Sequence, residues 1–178
     1  VELATRTIFN LLGPISNPSG VKRQLTGVFA KEWLEPVAHT LNNLGCEKTW
    51  VVHGSDGSDE ITTTGITHVA SLEDGKVITF DISPGDAGLP TVKPEDLKGG
   101  DEAHNAAAIR SLLNGERSAY RDVVLLNAAA ALIIAGEVDE LRAGVVKAAA
   151  AIDGGQVQTV LNKLVEITKS KEPCCKST

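Results

Sequence analysis

Three acidic side chains, Asp56, Asp59 and Glu60, crowd into five positions of the stretch His53-Gly-Ser-Asp-Gly-Ser-Asp-Glu-Ile61. The apolar run Trp50-Val51-Val52 comes just before it. Like charges repel, so such a cluster needs either water or a cation. Adjacent carboxylates such as Asp59 and Glu60 are hard oxygen donors. They can bind Mg²⁺ and leave coordination places for water and phosphate oxygens. The alternative is a turn in which the acidic side chains cap nearby backbone N–H groups. The spacing does not match the calcium loop of an EF-hand. His53, at the end of the apolar run, reads either as a ligand contact or as a ring satisfied by local partners.

Arg6 is the second candidate. A guanidinium on a short, rather apolar helix can grip a carboxylate or phosphate bidentately; the plain alternative is an ordinary exposed arginine. Gly99-Gly100-Asp101 precedes a helical pattern, and helix N-termini attract anions. Asp101 would fill that cap itself, and its charge repels phosphate. Asn127, within Leu-Leu-Asn-Ala-Ala, reads as a buried polar residue with hydrogen-bond partners. The dinucleotide fingerprint, the Walker A loop and the nucleophile elbow are all absent, and no Ser/His/Asp arrangement emerges from spacing.

These residues need elements to hold them. Residues 3–12 repeat apolar positions on one helical face, and Gly13-Pro14 should stop that helix. A strand over 24–30, an amphipathic helix over 31–44 capped by Gly45, and a strand over 49–53 make a βαβ unit. Such units normally pair their strands in parallel. Residues 61–64 read as a short strand. Residues 67–72 and 76–82 flank Asp74-Gly75, a tight-hairpin signal. Residues 84–94 are a Gly/Pro-rich loop, and four helices follow, over 101–113, 121–135, 138–152 and 156–168. The expected fold class is α/β, a central β-sheet flanked by helices. Residues 1–170 form the folded part, and 171–178 form a polar, disordered tail.

The chain has 178 residues, 42% of them hydrophobic and 22% charged, enough for one domain with a real core. A net charge of −6 without a Lys/Arg stripe argues against nucleic-acid binding. Cys46, Cys174 and Cys175 show neither metal spacing nor a disulfide framework, which points to a reducing, cytoplasmic setting. The apolar run over 123–135 is interrupted by Asn127 and reads as a core helix, so no membrane partner is expected. The chain contains no methionine and opens at Val1. We therefore expect the natural protein to extend upstream.

Three stretches together are more specific than any one. Arg6-Thr-Ile-Phe-Asn-Leu-Leu-Gly-Pro-Ile-Ser-Asn-Pro18 closely resembles a signature of the anthranilate phosphoribosyltransferase family. His53 to Ile61 resembles its second metal segment. Gly99-Gly-Asp-Glu-Ala-His-Asn-Ala106, with Leu125-Leu-Asn-Ala-Ala-Ala-Ala-Leu132, is similar to its C-terminal helical signature. The match reaches to about residue 168 and corresponds to the C-terminal half of the enzyme.

The resemblance implies transfer of phosphoribose from phosphoribosyl pyrophosphate (PRPP) to anthranilate in tryptophan biosynthesis, with two Mg²⁺ ions per active site. It also implies a homodimer formed through an N-terminal helical domain missing here. It places Arg6 on the anthranilate carboxylate, and Asp59 and Glu60 on the second Mg²⁺. His53, Gly99 and Asn105 match the pattern without an implied role. The family's Gly-Thr-Gly-Gly-Asp phosphate loop and Lys-His-Gly-Asn segment lie upstream in the family and are not in this chain. Ser58 stands where a hydrophobic residue is common. Two other readings remain: a pyrimidine nucleoside phosphorylase-like enzyme, and a non-enzymatic nucleic-acid-binding relative of the same fold.

Overall fold

The computed structural model describes residues 9–169; Arg6, Cys174, Cys175 and the polar tail lie outside that range. Four strands form one mixed sheet in the order β1-β2-β3-β4: β1 (Arg23–Gly27), β2 (Lys48–Gly54), β3 (Thr67–Glu73) and β4 (Lys76–Ile82). β1 and β2 are parallel, with Leu25 opposite Trp50, as the βαβ reading requires. The other two pairings are antiparallel. The β3–β4 hairpin turns on Asp74 and Gly75, with φ of 51° and 73°. Both values lie in the left-handed region that a tight primed turn demands.

Alternation along the strands sends side chains to two cores. Trp50, Val52, Val69 and Ile82 pack beneath α4 (Ala119–Ala135), against Leu126, Ala129 and Ala130. Val51, Ala70 and Leu72 face the other way, toward α2 (Leu34–Asn43), and meet Val37, Ala38 and Leu41. A third cluster joins α3 (Glu102–Leu113), α4 and α5 (Leu141–Asp153) through Leu112, Leu125 and Ile152. The last helix, α6 (Gln156–Lys169), buries no residue fully. Asp101 caps α3 by accepting from the His104 N–H at 2.8 Å. Among the described residues, no helix is long and apolar enough to cross a membrane.

Three local expectations need correction. The first helix, α1 (Phe9–Ile15), does not stop at Gly13-Pro14 but carries Pro14 inside it. The proline ring fixes φ near the helical value, so its cost here is the missing N–H of one closing turn. β1 ends at Gly27 rather than residue 30. Val28 still donates to the Val52 carbonyl, but its own carbonyl accepts from His53 Nδ1 at 2.9 Å, which ends the ladder. Residues 61–64 are not a strand. Their backbone N–H groups go to side chains instead: Ile61 to Asn127, Thr62 to Thr67, and Thr64 to Thr62. Short polar side chains compete with the ladder in this way and win where no neighbouring strand is at hand.

Candidate functional site

The acidic stretch leaves the carboxyl end of β2, beside the carboxyl end of its parallel neighbour β1. This is where open α/β sheets collect ligands. The turn closes on itself: Gly54 and Ser58 pair through backbone, as do Ser55 and Ile66. Within it the three carboxylates differ. Asp56 is the turn's own cap. Its Oδ1 accepts from the Ser58 N–H at 3.1 Å and the Ser58 hydroxyl at 2.6 Å. Its Oδ2 accepts from the Thr62 hydroxyl at 2.6 Å and the Thr64 hydroxyl at 2.7 Å. Desolvation works against the charge, but these four donors outweigh it and hold the carboxyl well below the usual carboxylate range.

Asp59 and Glu60 are exposed and have no hydrogen-bond partner among the described residues. The Glu60 carboxyl is pushed up from its ordinary value, first by desolvation and then by the charges of Asp59 and Asp56. A bound cation would offset all three causes. Both readings of the acidic stretch thus apply to different residues: Asp56 caps the turn, while Asp59 and Glu60 are left with free oxygens. That donor set fits Mg²⁺, which keeps several waters and takes one or two carboxylates plus substrate phosphates. Among the described residues, no group of three or more His, Cys, Asp or Glu side chains forms a fuller cage.

Asp56 lends itself to a direct test. Its folded pKa lies below the unfolded value of 3.8, so its stabilisation is complete above that value. It is lost only as pH falls through the lower folded value. Asp56→Ala should cost about 1 kcal/mol at neutral pH, a low figure because the group is exposed. Urea melts should give a constant gap from neutral pH down to about pH 4, closing only in stronger acid. A gap that closed near pH 6 would contradict the assignment.

Glu60 borders a cavity of about 330 Å³ with Leu97, Tyr120, Val123, Val124 and Asn127. Leu97 and Tyr120 also line a neighbouring hollow of about 360 Å³, which Gly99, His104 and Asn105 help to form. Residues from 53–61, 99–106 and 125–132 are therefore gathered around two adjoining hollows. Asn105 holds its own loop: its Oδ1 accepts from the Gly100 N–H and its Nδ2 donates to the Gly100 carbonyl, both at 3.0 Å. His53 is spent on the Val28 carbonyl, which is the structural reading. The described part of the first stretch lies elsewhere, with Leu11 and Ile15 of α1 packed on the α2 cluster.

Sequence reasoning passed over Gly27. A Cβ built there would stand 1.5 Å from the Asp59 carbonyl oxygen. A glycine inside an expected strand signals such close backbone approach, and that signal was present in the chain. Asn127 was expected to be buried and partnered; it is partnered but only half-buried, and its partner, Ile61, could not be foreseen.

Comparison with known proteins follows the same lines. An anthranilate phosphoribosyltransferase from Azorhizobium caulinodans is 60% identical over 97% of this chain and 50% of its own length. The crystal structure of anthranilate phosphoribosyltransferase from Thermus thermophilus superposes with a TM-score of 0.85 at 38% identity, covering 95% of this chain and 50% of that one. The Saccharomyces cerevisiae enzyme, in complex with PRPP and Mg, gives 0.81 at 27% identity over 90% of this chain and 46% of that one. The chain thus spans about half the length of the relatives it matches. The model of the glycosyl transferase family, a/b domain, matches residues 1–158. With nearly the whole described fold inside that match, the chain belongs to the glycosyl transferase family, as its a/b domain.

Proposed function

We propose that the full-length protein transfers the phosphoribosyl group from PRPP to anthranilate, giving N-(5-phosphoribosyl)anthranilate and pyrophosphate. One observation carries this reading: two carboxylates without partners among the described residues, Asp59 and Glu60, sit at the carboxyl ends of parallel strands, and Glu60 borders a cavity. Named relatives of high identity support it. Asp59 and Glu60 would hold Mg²⁺, which when bound offsets the negative charge developing on pyrophosphate. Two ions per site are proposed by family resemblance. Arg6, outside the described residues, would hold the anthranilate carboxylate and so orient the neighbouring amine. That aromatic amine is neutral at pH 7 and needs no base before it attacks. Positioning and electrostatics then carry the step. We place the protein in the cytoplasm as a homodimer, joined through a domain absent from this chain. An acidic net charge supports an enzyme over a nucleic-acid-binding relative.

The test is steady-state kinetics on the full-length protein, followed by product fluorescence. Arg6→Ala should raise the anthranilate KM by about 10- to 100-fold, the loss of one charge-assisted contact, with little change in the PRPP KM. Asp59→Asn with Glu60→Gln should move Mg²⁺ activation to higher concentration. An unchanged anthranilate KM would reject the Arg6 role, and a superimposable Mg²⁺ titration would reject the metal assignment. Gel-shift binding of nucleic acid with no product would replace the enzyme reading altogether.

A further inference from the structure

Asn127 borders the Glu60 cavity yet has no N–H left to offer it. Its Oδ1 accepts from the Ile61 N–H at 3.1 Å. Its Nδ2 donates to the Ile61 carbonyl at 2.7 Å and to the Val123 carbonyl, one turn back in α4, at 2.9 Å. The orientation of the amide follows from its partners: two carbonyls need donors and one N–H needs an acceptor. Asn127 therefore grips both polar groups of a single residue, the one directly after Glu60. The residue directly before Glu60 is confined as well, because the Asp59 carbonyl lies where a Cβ on Gly27 would be. The Ile61 side chain adds a third restraint, fully buried in the α4 core cluster.

We infer that Asn127 is a positioning residue for the cation site: through Ile61 it sets the direction of Glu60 and the spacing of the Asp59–Glu60 pair. This rests on the reading of those two carboxylates as metal ligands. Two carboxylates on a free loop would lose conformational freedom on binding a cation. The same two on a loop clamped from α4 have lost it on folding, so affinity rises without a further ligand. Groups that orient ligands while touching no metal typically contribute about 10- to 100-fold in affinity.

The experiment uses the full-length protein and Mn²⁺ alone, bound without substrate and counted by electron paramagnetic resonance. Asn127→Leu keeps the number and branching of the side-chain heavy atoms and removes all three bonds. Asn127→Ser, which keeps a short polar group in α4, serves if the first variant does not fold. Leu125→Val, in the α3–α5 cluster on the same helix, controls for general loosening. The Asn127 variants should weaken Mn²⁺ binding about tenfold or more. In the metal-free protein, amide exchange at Ile61 should quicken by about tenfold, while Leu125→Val does neither. In turnover, the Mg²⁺ activation constant should rise with the anthranilate KM unchanged. Parent-like Mn²⁺ affinity in the Asn127 variants, alongside loss of binding in Asp59→Asn/Glu60→Gln, would overturn the positioning role and leave the metal reading intact. Mn²⁺ binding untouched by that acidic double variant would overturn both.

Discussion

Gly27→Ala should lower turnover of the full-length protein by about 100-fold while the chain still folds. The added methyl group would sit 1.5 Å from the Asp59 carbonyl oxygen and 2.5 Å from its carbon, so backbone must move. Gly27 is held in register opposite Val52, whereas Asp59 lies on a turn outside the sheet. The turn is the part that gives way. A displacement of about 1 Å at a reacting site can cost about two orders of magnitude in rate. The accompanying loss of stability should be about 1–3 kcal/mol, the usual cost of overpacking. Gly13→Ala is the control, since a Cβ there would meet nothing within 4 Å. Wild-type kinetics in Gly27→Ala would show that the position of Asp59 does not matter.

Asp153→Ala should destabilise the protein by about 3 kcal/mol, the largest stability effect we expect from one side chain. Arg121 is fully buried, and its Nη2 donates to Asp153 Oδ1 at 2.8 Å. Its Nε and Nη1 have no partner among the described residues. Asp153 is thus the one side chain among the described residues in ion-pair contact with a guanidinium taken entirely out of water, with Asp122 adding a longer-range attraction. Removing it leaves a buried charge unpaired, which costs about 3–5 kcal/mol; the lower end applies because Asp153 is itself half exposed. For a chain of this size that is a fall in Tm of about 6–12 °C. Adding Arg121→Leu to Asp153→Ala should recover most of the loss, because an apolar pair can replace a buried ion pair at little cost. Thermal melts in which the double variant is no more stable than Asp153→Ala would refute this account.

These two cases mark the boundary between what the chain announces and what folding adds. The α4 helix was legible from its apolar run, but nothing in that run says that Arg121 is swallowed whole and matched to a residue at the end of α5. The β3–β4 hairpin was readable from Asp74-Gly75, because a positive φ at two successive residues is a local demand. Residues 61–64 misled for the converse reason. Their β-branched side chains favour strands, yet they lie where no strand can pair, and hydroxyl and amide side chains took over their N–H groups.

At the site itself, residue types and spacing alone singled out Asp59 and Glu60 as candidate ligands and Asp101 as a cap, since each depends on neighbours within a few positions. The carboxylate that only closes the turn, Asp56, was told apart only when four donors were seen around it. The approach of Gly27 to Asp59 and the grip of Asn127 on Ile61 join segments far apart in the chain. Spacing cannot encode such contacts: they exist only after β1, β2 and α4 have packed, and that packing is set by the summed burial of the cores on both faces of the sheet.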